Sequence, residues 1–141
     1  MRTIFVSIFL LLSFLGFSQN FFDPSGKLLA RFGGDTVFNG SGLQIGRITN
    51  NKIFEGTGHP IGRVKGNIIY DGSDKQIGKI DGINLLDGSG KQIWKFNGDN
   101  IVDDSGTRIG SVDKLTRMQV VIFLYYFYYL NPHIPLLINP L

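Results

Sequence analysis

The chain contains no cysteine. That excludes disulfides, thiolate nucleophiles and cysteine metal sites, so apolar packing and backbone pairing must hold whatever fold forms. Neither charge sign dominates: 14 Lys+Arg face 11 Asp+Glu, a formal net charge of +3. The sequence pI of about 9.3 reflects that small imbalance. No basic cluster accompanies it, so no nucleic-acid partner is expected. There are two histidines, His59 before Pro60 and His133, and neither has a recognisable base or metal partner. No Gly-x-Ser-x-Gly elbow, phosphate loop or paired-carboxylate motif is present. An enzyme is not expected, and no cofactor or metal is implied.

Long apolar runs are also scarce, and the first belongs to targeting. Arg2 precedes a mostly apolar stretch from Ile4 to Leu15, and Gly16-Phe17-Ser18 places small residues where a signal peptidase cuts. The stretch is short against the roughly 20 residues of a spanning helix. Residues 1–18 therefore read as a signal peptide, cleaved after Ser18 to leave Gln19 first. Export follows: a secreted, periplasmic or cell-surface protein.

Glycine is abundant, at 19 residues, and it recurs in phase. Six copies of a 16-residue unit run from Phe21 to Thr116 without an insertion. Phe22, Phe38, Phe54, Tyr70, Leu86 and Val102 mark one position, and Leu29, Ile45, Ile61, Ile77, Ile93 and Ile109 another. Numbering the unit from Phe21, positions 1 and 2 are apolar throughout. Position 3 is acidic or its amide, and position 5 is Ser or Thr. Position 6 is glycine in all copies but the fourth. Asp23-Pro24-Ser25-Gly26 shows the logic of this turn: proline pre-sets φ, and glycine takes a left-handed position closing a three-residue loop. A second strand follows, as in Gln44-Ile45-Gly46-Arg47-Ile48, and ends on dipeptides suited to two-residue primed turns.

So the unit is strand, bulged turn, strand, tight turn, too short for a four-stranded propeller blade. Helix is excluded here, because each interior glycine would cost about 1 kcal/mol. Positions 9 and 12 are both apolar, which period-2 alternation alone does not allow on one face. Either both faces are covered, or the glycine at position 10 marks a bulge that resets the alternation. Both favour hairpins packed around an axis. The fold class is all-β: tandem β-hairpin repeats around a pseudo-symmetry axis, over residues 19–117.

The second apolar run, Met118 to Leu130, is rich in β-branched and aromatic residues. Val120 to Leu130 would reach about 16 Å as a helix and about 36 Å as a strand. β-propensity favours the strand, so residues 118–130 are expected to form a C-terminal strand buried against the repeats. The rival reading is a segment that contacts a membrane or partner. Residues 131–141, with three prolines, read as an irregular tail.

The units IFEGTGHPIGRV, IIYDGSDKQIGKI and LLDGSGKQIWKF resemble the five-fold β-flower family of uncharacterised bacterial proteins. The resemblance implies hairpin repeats radiating around a pseudo-fivefold axis in a small secreted protein. It implies no activity and no catalytic residues. There are six bulged turns but five tight connections, near Gly34, Asn50, Gly66, Gly82 and Gly98. Five hairpins completed by terminal half-units would fit that count, and so would a sixfold ring.

Two features are candidates for binding. Position 11 carries Arg31, Arg47, Arg63, Lys79 and Lys95, with Ser111 last. On a closed ring these five cations would face one rim or the axis and bind a polyanion such as an acidic glycan. Trp94 replaces glycine in one unit only; exposed, it would suit sugar stacking, and buried, it would be a large core residue. The acidic turns Asp71–Asp74 and Asp103–Asp104 lack a full calcium ligand set. The functional expectation is a non-enzymatic scaffold or binding module whose partner is a protein or glycan. The alternative is a membrane-associated or pore-like assembly using Val120 to Leu130.

Overall fold

The structure, a computed structural model, describes residues 19–128. Residues 1–18, expected to be a signal peptide, and residues 129–141, with His133, lie outside the described residues. Twelve antiparallel strands form a closed barrel, each bonded to its neighbours in sequence, with β1 closing on β12. The strands are β1 (Gln19–Phe22), β2 (Leu28–Gly33), β3 (Thr36–Asn39), β4 (Gln44–Thr49), β5 (Lys52–Glu55) and β6 (Pro60–Lys65). They continue with β7 (Ile68–Asp71), β8 (Gln76–Asp81), β9 (Asn84–Asp87), β10 (Gln92–Asn97), β11 (Asn100–Asp103) and β12 (Arg108–Asp113). Closure removes the free edges that a long meander would expose.

The two turn types alternate around the rims. At the bulged turns, Gly26, Gly42, Gly58, Gly90 and Gly106 take positive φ, and in the fourth repeat Asp74 does so at φ 66°. At the tight turns, Gly34 precedes a residue of ordinary φ, the type II′ pattern, while Asn50 and Asn51 are both left-handed, the type I′ pattern. Five hairpins are closed by these tight turns. The sixth strand pair is the seam between β12 and β1, where Asn20, Phe21 and Phe22 face Asp113, Val112 and Ser111. Six repeats thus close one ring through five turns and a seam.

Each bulged hairpin slips register at the same place. Val37 pairs with Gly46 and Phe38 with Gln44, which leaves Ile45 as the extra residue. The other five hairpins repeat this slip. The bulge therefore falls on position 9, one residue before the glycine. It brings positions 9, 10 and 12 to the inner face and sends position 11 outward. Position 1 also points inward: Phe21, Val37, Ile53, Ile69, Leu85 and Ile101 are all 0% exposed.

A helix fills the axis. After β12 the chain passes through Lys114 and Leu115 into α1 (Arg117–Ile122), which continues as a π-helical turn, Phe123–Phe127. Thr116 and Gln119 form a capping box at its start. The side-chain amides of Gln119 and Gln19 bond reciprocally at 3.1 and 3.2 Å, tying the helix entry to β1. Val120 to Leu124, Phe127 and Tyr128 are buried, so the helix is apolar nearly all round, as an interior helix must be.

This corrects the expectation of a C-terminal strand over 118–130. Every strand in the wall already pairs on both sides, so a strand inside the barrel would have no partners for its backbone N–H and C=O groups. Only a helix satisfies those groups within its own segment. Tertiary context overrides β-propensity here.

Candidate interaction surface

The inner face decides what is left for the outer one. Position 10 is a socket in each repeat. A Cβ at Gly46 would run into the Phe127 ring, at Gly62 into Tyr126 and at Gly78 into Tyr125. Three consecutive helix residues therefore enter three consecutive repeats. Gly110 faces Phe21 in the same way. In the first repeat Ala30 stands there with its own methyl, 0% exposed. In the fifth, Trp94 fills the socket from the wall side.

Trp94 is 4% exposed and packs edge-on against Tyr125 at 5.2 Å and Tyr128 at 6.1 Å between centroids. It has no solvent-facing ring on which a sugar could stack, which corrects that candidate role. Its singularity in sequence is a packing feature.

The tyrosine hydroxyls reach the wall's carbonyls. Tyr125 Oη donates to the Leu86 carbonyl at 2.6 Å. Tyr126 Oη donates toward the Tyr70 carbonyl at 2.5 Å and the Arg63 carbonyl at 3.0 Å. Burial raises the Tyr126 phenol well above its ordinary value, so it remains a donor. Tyr126→Phe is expected to lower unfolding stability by about 1–3 kcal/mol, because a buried acceptor loses its partner. Chemical denaturation measures this, and an unchanged midpoint would remove the hydroxyl from the packing argument.

The five position-11 cations do not face the axis, which the helix occupies. Arg31, Arg47, Arg63, Lys79 and Lys95 ride on the outer face, each opposite position 2 of the next repeat. The reason is the bulge: with position 10 turned inward, alternation puts position 11 outside. Where that neighbour is aromatic the guanidinium lies over the ring. Arg31 sits 4.4 Å from the Phe38 centroid, Arg47 5.0 Å from Phe54 and Arg63 4.2 Å from Tyr70. Arg63 Nε also donates to Asp74 Oδ1 at 2.9 Å, which raises the Arg63 pKa further. Lys79 and Lys95 face Leu86 and Val102 instead. These pairings escaped the sequence reading, although the signal was present: each arginine at position 11 is followed by an aromatic residue at position 2 of the next repeat.

The acidic turn residues are engaged locally. Asp71 Oδ1 accepts from the backbone N–H groups of Ser73 and Lys75, and Asp87 Oδ1 from those of Ser89 and Lys91. Backbone donors, first Lys75 N–H and then Ser73 N–H, hold the Asp71 carboxyl below its ordinary value. For Asp87 the Ser89 hydroxyl has the largest lowering effect. Among the described residues no group of three or more His, Cys, Asp or Glu is arranged to hold a metal ion. His59 is exposed in a bulged turn.

Repeating hairpins around an axis, over nearly the whole described chain, are what one family of proteins is built from. Residues 17–129 match the family described as 5-fold beta-flower protein. The chain belongs to that family. Among curated proteins and solved structures nothing matches it. In this β-flower the exposed chemistry is the outer wall and the two turn rims.

Proposed function

We propose that this β-flower protein is an exported, non-enzymatic scaffold or binding module that meets a protein or glycan through its outer wall and turn faces. The observation that carries the reading is the location of the apolar segment. Val120 to Tyr128, the stretch best suited to enter a membrane, is packed inside the barrel, with only Tyr125 and Tyr126 half-exposed. The outer wall supports it further, since it presents cations and aromatic rings together. A pore-like assembly fits less well. The axis holds a helix, and wall strands of four and six residues are short against the roughly 9–11 of a membrane-spanning strand.

The test compares residues 19–141 with a version ending at Arg117, by thermal unfolding and by partition into phospholipid vesicles. The expected result is that the shortened chain loses its cooperative transition and that the full chain stays out of the vesicles. If the shortened chain melts like the full one and only the full chain enters vesicles, the scaffold reading is wrong.

A further inference from the structure

The outer wall is not the same all the way round. From β2 to β7 three successive repeats carry an arginine stacked on an aromatic ring: Arg31 on Phe38, Arg47 on Phe54 and Arg63 on Tyr70. Lys52 lies opposite Arg63 across the β5–β6 pair, and alternation places Lys65 on the same face. The outward strand positions of this half include no carboxylate. From β8 to β12 the pattern changes. Lys79 and Lys95 face aliphatic neighbours, and Asp81 and Asp113 join the outward set. A ring that is even in shape is therefore uneven in charge.

The stacked arginines differ from ordinary surface cations in a second way. Each guanidinium is held over a ring, so its position is set before any ligand arrives. Arg47 is exposed and Arg31 partly so, while Arg63 also donates to Asp74. The pairing register is identical in the three repeats, so the three heads lie at one height on the wall. Arg31 pairs with Phe38 and Arg47 with Thr36, so successive heads are two strands across and two residues along, about 12 Å apart. A linear polymer with an anionic group at regular intervals matches such a row better than a folded protein surface. Half-buried aromatic edges between the cations suit the apolar faces of sugar rings.

We infer that the β2–β7 wall is a binding site for a linear acidic polysaccharide, with Arg31 and Arg47 as the main anion contacts. Arg63 is the third step, partly occupied by Asp74. That carboxylate borders a hollow which Lys52, Pro60, Arg63 and Asp71 also line. The inference rests on the scaffold reading and specifies its ligand class.

The probe is hyaluronan oligosaccharides, whose carboxylate recurs on every second sugar, titrated calorimetrically into residues 19–141 at low salt so that surface charges are not screened. Saturable binding is expected, with none to neutral dextran. Arg31→Ala with Arg47→Ala is expected to weaken binding at least ~tenfold, since two charge-assisted contacts go. Lys79→Ala with Lys95→Ala should change it less than ~threefold, because point charges on the other half carry no bidentate contact. Asp74→Asn should tighten binding by releasing Arg63; asparagine tolerates the left-handed backbone there. A purely structural role for these residues would not produce that gain. Melting of each variant establishes that the barrel is intact.

Equal losses from the two double variants would reduce the site to diffuse charge and overturn the inference. So would tighter binding of a short DNA duplex, which would make the wall a nucleic-acid surface. Absence of binding, with the full chain still staying out of vesicles, would sink this inference and leave the scaffold reading standing. Entry of the full chain into vesicles would sink that reading instead.

Discussion

Trp94→Gly, which would make the fifth repeat match its neighbours, is expected to destabilise the protein by about 3–5 kcal/mol. Substitution toward a repeat consensus usually stabilises, so the expected sign runs against that habit. The cause is local. In the repeats of Gly46, Gly62 and Gly78 the socket is filled by a ring from the helix. In the fifth repeat the filling ring comes from the wall, and Tyr125 and Tyr128 pack on its faces and edges. Removing it leaves a void bordered by those two rings. Denaturant unfolding followed by far-ultraviolet circular dichroism measures the loss. A variant as stable as the parent would show that the helix can shift to refill the socket.

The reciprocal experiment removes the ring and keeps the socket. Phe127 is 1% exposed, and Phe127→Ala is expected to cost about 3–5 kcal/mol. Gly46→Ala places a methyl where that ring sits and is expected to cost about 1–3 kcal/mol by overpacking. Together the two changes should cost less than their sum by at least ~1 kcal/mol, because the new methyl occupies part of the void. Strict additivity in the double-mutant cycle would mean that socket and ring do not meet as described.

Much of this architecture was legible in the chain. The phase of the repeat, the two turn types and the apolar character of positions 1, 9 and 12 all follow from residue chemistry over sixteen residues. Position 2, however, is equally apolar and lies on the outer wall. The left-handed position at Gly26 and its equivalents was readable because almost only glycine stands there. The helix was not readable. MQVVIFLYYFYYL has the composition of a strand, and only the closed wall around it, with no pairing edge left, forces the other conformation. Position 11 stood out as a row of five cations, Arg31, Arg47, Arg63, Lys79 and Lys95, but their outward direction depended on a bulge placed one residue from where glycine suggested it. Trp94 stood out for its rarity, and the rarity reflected a socket filled from the wall instead of from the helix.

The seam between β1 and β12 joins residues from the two ends of the repeat domain, while the other wall pairs are local. Hairpins with two- and three-residue loops form within microseconds, but the last pair must wait until both ends of the domain are present. For a chain that emerges from its N-terminus, β1 is made first and paired on its second side last. The timing of assembly is thus set by one non-local event, the meeting of Phe21 with Val112. Until it happens the two bordering strands remain the only open edges of the wall.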